Sequence, residues 1–230
     1  MYSLSVANLL YLLIPVLFVA YFYFRWVGNK LEILYASARM LLQLLLVGYL
    51  LSYVFDSKTS YMTIFIVVVM ISAASMITLR NITHKNFTVY KMIFFSIFVG
   101  GSVNLFLVLY FVLELDTFDN PRYIIPIAGM LYANCMNAVS LVAERFEKER
   151  EVHDYEEARA IFFKASLIPQ INSFLAVGLV SLPGMMTGQI LSGVDPIVAV
   201  RYQIMVMFMV LGSSGISTVL YLLQRKNCTI

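Results

Sequence analysis

Seven apolar runs, at about 4–24, 34–54, 61–79, 92–113, 123–143, 168–190 and 202–223, constrain this chain more than any other feature. Each is long enough to cross the roughly 30 Å hydrocarbon core of a bilayer as a helix, which takes about 17–25 residues. Lipid offers a bare backbone no hydrogen-bond partner, so the expected fold is all-α: a polytopic membrane helix bundle of about seven transmembrane helices. Hydrophobic residues make up 61% of the 230 and charged residues only 13%, against about a quarter in a soluble domain. Little chain is left for a soluble part, and residues 1–230 read as a single transmembrane domain. The first run exceeds a signal-peptide core and has no basic segment before it, so it reads as a retained span.

Basic residues set the orientation. Arg25, Lys30 and Arg39 follow the first run, Arg80, Lys85 and Lys91 the third, Arg145, Lys148, Arg150, Arg159 and Lys164 the fifth, and Arg225 and Lys226 the seventh. The other connections hold only Lys58, Arg122 and Arg201. This bias places the first group in the cytoplasm, with the N-terminus outside and the C-terminus cytoplasmic. Acidic Glu114, Asp116 and Asp119 then fall outside. The net charge of +3 lies between apolar runs and implies no nucleic-acid partner. Two cysteines, Cys135 within a run and Cys228 in the tail, imply no disulfide or metal framework.

The sixth run is unlike the others. Pro183 and Gly184 stand within it, Gly178 and Gly188 flank them, and Ser181, Thr187 and Gln189 add polar groups, with Met185 and Met186 between. Pro183 has no N–H for the carbonyl four residues back, so a helix here should be broken or kinked. A break at membrane depth must face protein or a watery cavity, where a transport pathway would lie, unless it is simply a packed kink.

Other polar residues share faces. Arg39 and Gln43 are four apart on the second run, and Arg39 either reaches to the interface or is paired inside the bundle. Asn134 and Asn137 lie three apart on the fifth run, beside Gly129 and Ala133, a spacing that holds helices together or lines a pathway. Between the fifth and sixth runs, 144–164 is strongly charged, with Glu144/Lys148, Arg145/Glu149 and Arg150/Asp154 at i, i+4. It reads as a charged cytoplasmic helix, either simply solvated or a docking surface for a soluble subunit. Asp195 and Pro196 read as N-cap and first residue of the last helix, whose first turns, with Arg201, Tyr202 and Gln203, are placed at the outer interface. Gly212-Ser213-Ser214-Gly215 would admit a close neighbour, in the same chain or in a second copy.

No catalytic pattern is present, so the chain is not read as an enzyme, and without a GxxxxGK[ST] loop it cannot hydrolyse ATP by that route. His84 and His153 fall in loops, and no acidic residue lies deep in a run. The thirteen methionines, Met205, Met207 and Met209 among them, are either soft ligands or core filler. No metal ligand set can be assigned. Two classes remain from the residues: the membrane subunit of a transporter with a separate motor, or a passive channel or stand-alone structural membrane protein.

The run from Leu182 through Pro196, continued in Ala199-Val200-Arg201-Tyr202-Gln203-Ile204, resembles the signature of the FetB-type permeases. Arg39-Met40-Leu41-Leu42-Gln43-Leu44 with Gly48-Tyr49-Leu50-Leu51, and Gly129-Met130 with Asn134, Met136-Asn137-Ala138 and Leu141, resemble that family's second- and fifth-span motifs. The resemblance runs from about residue 31 to 223. It implies the permease subunit of an ABC transporter associated with iron export, whose plant relatives are linked to aluminium tolerance. A separate ATP-binding subunit would hold ATP and Mg, this chain binding no cofactor itself. The permease is implied to be a homodimer in a bacterial inner membrane, in contact with lipid. The charged segment, with Glu156, Glu157 and Arg159, would couple to the ATPase. There the chain departs from the family pattern: Glu156-Glu157-Ala158-Arg159 runs straight into Ala160-Ile161-Phe162-Phe163-Lys164 without a Gly-Ala turn, a shortened segment.

Overall fold

The structure, a computed structural model, describes residues 6–28, 31–56, 60–80, 82, 85–115, 120–149 and 155–226. Its helices are α1 (Val6–Leu9), α2 (Leu13–Val27), α3 (Glu32–Asp56), α4 (Ser60–Arg80), α5 (Phe87–Leu107), α6 (Pro121–Glu149), α7 (Tyr155–Ala176), α8 (Gly184–Leu191) and α9 (Pro196–Lys226). A 3₁₀ turn at Leu10–Leu12 joins α1 to α2, and a π turn at Val108–Val112 ends α5. Among the described residues the one other regular feature is an isolated bridge between Val177 and Ser181. The fold is an all-α membrane bundle, as the apolar runs require.

Six stretches among the described residues are long and apolar enough to cross a membrane: Ala7–Val27, Glu32–Val54, Tyr61–Arg80, Phe87–Val112, Pro121–Phe146 and Pro196–Lys226. The run at 168–190 forms no such helix. It is divided between α7 and α8.

The chain separates into two compact units, Met1–Ser57 and Lys58–Ile230. In the first, the 3₁₀ turn covers Tyr11, whose carbonyl would be bonded by an N–H at position 15, where Pro15 has none. Gly28 ends α2 in a left-handed conformation (φ 82°), its N–H on the Phe24 carbonyl. Tyr23 donates its hydroxyl hydrogen to Glu32 Oε2 at 2.7 Å, which ties the end of α2 to the start of α3.

In the second unit α9 is the central helix, packed on α5, α6, α7 and α8. Its N-terminus follows the sequence signal, with Asp195 Oδ1 accepting from the N–H groups of Ile197 (2.8 Å) and Val198 (3.3 Å). At 31 residues it is about 46 Å long, well beyond the hydrocarbon core. The glycine-serine stretch of α9 does admit a close neighbour: a Cβ at Gly212 would lie 2.7 Å from Asn104 Oδ1 on α5, and one at Gly100 on α5 would collide with Ser217 on α9. Gly215 has nothing within 4 Å of its would-be Cβ. Polar contacts tie the helix pairs, among them Ser140 to Thr78 at 3.1 Å, Ser102 to Tyr132 at 3.0 Å, Gln224 to Ser96 at 2.9 Å and Gln170 to Ser214 at 3.4 Å.

The charged segment 144–164 is not one rod. Its beginning is the tail of α6 and its end the head of α7. The Phe146 and Phe162 ring centroids are 5.7 Å apart, whereas one continuous helix would separate sixteen positions by about 24 Å. α6 and α7 are therefore two separate helices packed on one another, and their apolar packing outweighs the i, i+4 charge pairs that suggest continuity. Of those pairs, Arg150/Asp154 and the side chains of Lys148 and Glu149 lie outside what is described.

Candidate functional site

Contacts along α9 show that α7 and α8 together retrace it. Tyr155 Oη reaches the Leu222 carbonyl at 2.7 Å, Gln170 reaches Ser214, Phe174 meets Phe208 with ring centroids 6.0 Å apart, and Met186 lines a cavity with Ile204. The α7–α8 stretch is thus antiparallel to α9 but interrupted over residues 177–183.

The interruption begins earlier than the Pro183-Gly184 pair suggests. α7 stops at Ala176, and Gly178, left-handed at φ 82°, occupies the position where glycine commonly ends a helix. Pro183 is extended (φ −61°, ψ 146°) and stands immediately before α8, with Gly184 as its first residue. Between them the chain folds around a single acceptor: the Ala176 carbonyl receives the N–H groups of Leu179 (3.2 Å), Val180 (2.8 Å) and Ser181 (3.2 Å), while Gly178 donates to the Ser181 carbonyl at 3.0 Å. Local bonding lets the loop present Leu179 (90% exposed) and Val180 (84%) outward with their N–H groups satisfied.

The residues singled out from the sequence are distributed as follows. Ser181 and Gly184 are exposed at the loop edges, and Thr187 spends its hydroxyl hydrogen on backbone carbonyls, 3.1 Å from that of Pro183. Met186 faces a cavity of about 300 Å³ between α7, α8 and α9, with Phe174, Gln203 and Phe208. Met185 and Gln189 line a different cavity of about 490 Å³ with Met130, Tyr202 and Met205. Asn134 donates to the Met130 carbonyl at 2.8 Å and lines a third space of about 320 Å³ with Gln170 and Ser173. Asn137 is exposed. Arg39 and Gln43 lie exposed on α3 in the first unit. Glu156 and Glu157 are exposed in the first turn of α7, and Arg159 pairs with Glu156 at 2.9 Å. His84, His153, Asp116 and Asp119 fall outside the described residues.

Two residues without an assigned role stand out: Gln170 and Gln203 are buried, at 7% and 6% exposure. In the first turns of α9, Arg201 is exposed, Tyr202 half-buried and Gln203 buried. A glutamine in an apolar run carries that signal, though its direction depends on which helix face packs. Among the described residues no group of three or more His, Cys, Asp or Glu side chains could hold a metal ion.

The fold defines a polytopic, all-helical membrane protein in which an interrupted α7–α8 stretch runs beside three cavities. The model of an uncharacterised protein family, UPF0014, matches residues 4–163 and 153–228. The chain belongs to that family. It is 33% identical to the probable iron export permease protein FetB of Escherichia coli, over 85% of this chain and 81% of that one. It is 32% identical to the UPF0014 membrane protein slr1647 of Synechocystis, over 85% and 82% of the two chains. It is 31% identical to Protein ALUMINUM SENSITIVE 3 of Arabidopsis thaliana, over 82% and 73%. No solved structure matches.

Proposed function

We propose that this chain is the membrane-spanning permease subunit of an ABC transporter, exporting iron or another metal cation, with ATP and Mg held by a separate ATP-binding subunit. The observation that carries the reading is the divided crossing: α7 ends at Ala176 and α8 begins at Gly184, so one span can change shape while α9 beside it stays continuous. Membership of a family that includes a probable iron export permease supports the transport role and the cargo. In this account the permease is a homodimer in a bacterial inner membrane, N-terminus outside and C-terminus cytoplasmic, and is not itself an enzyme. Closure of the ATPase subunits pushes on the exposed first turn of α7 at Glu156, Glu157 and Arg159, and α7 transmits the push to the loop at 177–183. Ser181, Pro183, Gly184, Met185, Met186, Thr187 and Gln189 form or border the moving part, with Asn134 facing it from α6. Asn137 on α6 also belongs to the proposed pathway.

Co-expression with a candidate ABC ATP-binding subunit tests the reading. The two should co-purify, and vesicles holding both should move Fe(II) only with ATP. Movement without ATP or without a second subunit would instead establish a passive channel.

A further inference from the structure

We infer that the cleft between the head of α7 and the tail of α9 binds an anionic phospholipid, with its acyl chain against Phe163 and Val219 and its phosphate at Arg159 and Lys226. The inference stands apart from the transport reading and needs no second subunit.

The cleft is lined by Arg159, Ala160 and Phe163 of α7 and by Val219, Leu222 and Leu223 of α9, and it encloses about 220 Å³. Among these residues Arg159 alone is charged. Ala160, Val219 and Leu223 are exposed at its rim, an apolar surface that in a membrane bundle meets acyl chains. One water occupies about 30 Å³ in the liquid, so the volume takes a length of acyl chain. A partner helix, about 10–12 Å across, does not enter it.

Polarity along the cleft runs in the sense a phospholipid needs. The two helices are antiparallel here and joined where the Tyr155 hydroxyl meets the Leu222 carbonyl at 2.7 Å. Going inward from that contact, the lining passes from Arg159 and Leu223 to Phe163 and Val219, one turn further on each helix. Arg225 and Lys226 stand in the last turn of α9. Basic residues at such an end hold it at the membrane interface, with their stems on apolar surface and their charges among headgroups. The Arg159 guanidinium is 6.0 Å and the Lys226 ammonium 5.7 Å from the centre of the Tyr155 ring, so two cations gather at the polar end of the cleft. A zwitterionic headgroup brings a further cation to that place, and an anionic one does not, which favours the anionic lipid.

Glu156 competes for one of the two. Its carboxylate accepts from Arg159 at 2.9 Å, but both side chains are solvent-accessible and an exposed pair of this kind is weak. A guanidinium carries five N–H donors, and one carboxylate leaves some of them for a phosphate. Neutralising Glu156 and neutralising Arg159 therefore act on the lipid with opposite signs.

Tryptophan quenching reads this cleft by itself. The single tryptophan of the chain is removed by Trp26→Phe, and Leu223→Trp places a reporter on the rim. The full chain, without an ATPase subunit, is reconstituted into vesicles of phosphatidylcholine and phosphatidylglycerol in which one lipid or the other carries brominated acyl chains. At equal mole fractions the reporter should favour brominated phosphatidylglycerol about tenfold. Arg159→Gln with Lys226→Gln should bring that ratio to about one, whereas Glu156→Gln should raise it about twofold or more. Arg201→Gln, in the first turns of α9, should leave it unchanged. A reporter without preference overturns the inference, as does a preference that survives the double variant or falls with Glu156→Gln. An equal loss with Arg201→Gln overturns it too, since the attraction would then belong to the whole surface. A reporter quenched by neither lipid would show that protein, a second copy included, covers the cleft, and would also overturn it. Should the double variant misfold, Glu156→Gln still decides, because it removes only one partner of an exposed pair.

Discussion

Tyr155, the first residue of α7, donates its hydroxyl hydrogen to the Leu222 carbonyl near the end of α9 at 2.7 Å. Two more contacts gather there: the Arg225 guanidinium lies 5.3 Å from the Phe146 ring centre, and the Lys226 ammonium 5.7 Å from that of Tyr155. The head of the divided crossing is therefore clamped to both neighbouring helix ends, while its first-turn carboxylates stay exposed.

Charge reversal at those carboxylates separates docking from folding. Glu156→Lys with Glu157→Lys should weaken association with the ATPase subunit about tenfold or more. The Glu156–Arg159 pair is exposed and such pairs are worth about 0–1 kcal/mol, so thermal unfolding should hardly change beyond the small loss of first-turn dipole complementarity. Co-purification at the wild-type level would move the contact elsewhere.

Removing the clamp tests transmission. Tyr155→Phe deletes one hydrogen bond, a loss of about 0.5–1.5 kcal/mol, and keeps the ring against Phe146. The ATPase should still bind, but fewer ions should move per ATP hydrolysed. An unchanged ratio would show that the Leu222 contact only supports the fold.

Close packing of α5 on α9 gives a stability prediction with its own control. Gly100→Ala drives a methyl group into Ser217 and should cost about 1–3 kcal/mol or more. Gly215→Ala, on the same α9 with open space around it, should be neutral or stabilising by up to about 1 kcal/mol. Equal effects in thermal unfolding would contradict the packing described.

What could be read from the sequence was what local chemistry decides. The apolar runs needed only length and lipid, the start of α9 needed only Asp195 and Pro196, and an interruption near Pro183 needed only a missing N–H. The end of α7 at Ala176 was locally encoded too, by Gly178, but a glycine that ends a helix and one that merely weakens it look alike until φ is known. The division into α6 and α7 was hidden because i, i+4 charges fit two helix ends as well as one rod, and Phe146 against Phe162 decides between them. Gln170 and Gln203 were hidden for a similar reason: their burial is a property of the assembled bundle.

The account stands most directly on whether the division of the α7–α8 crossing is used. Gly178→Ala, Pro183→Ala and Gly184→Ala together remove the left-handed glycine, the missing donor and the weak first residue of α8, and favour a continuous helix. Measured as Fe(II) export from vesicles also holding the ATPase subunit, with equal amounts of inserted permease, the triple variant should fall about tenfold or more below wild type. Export at the wild-type rate would contradict the account.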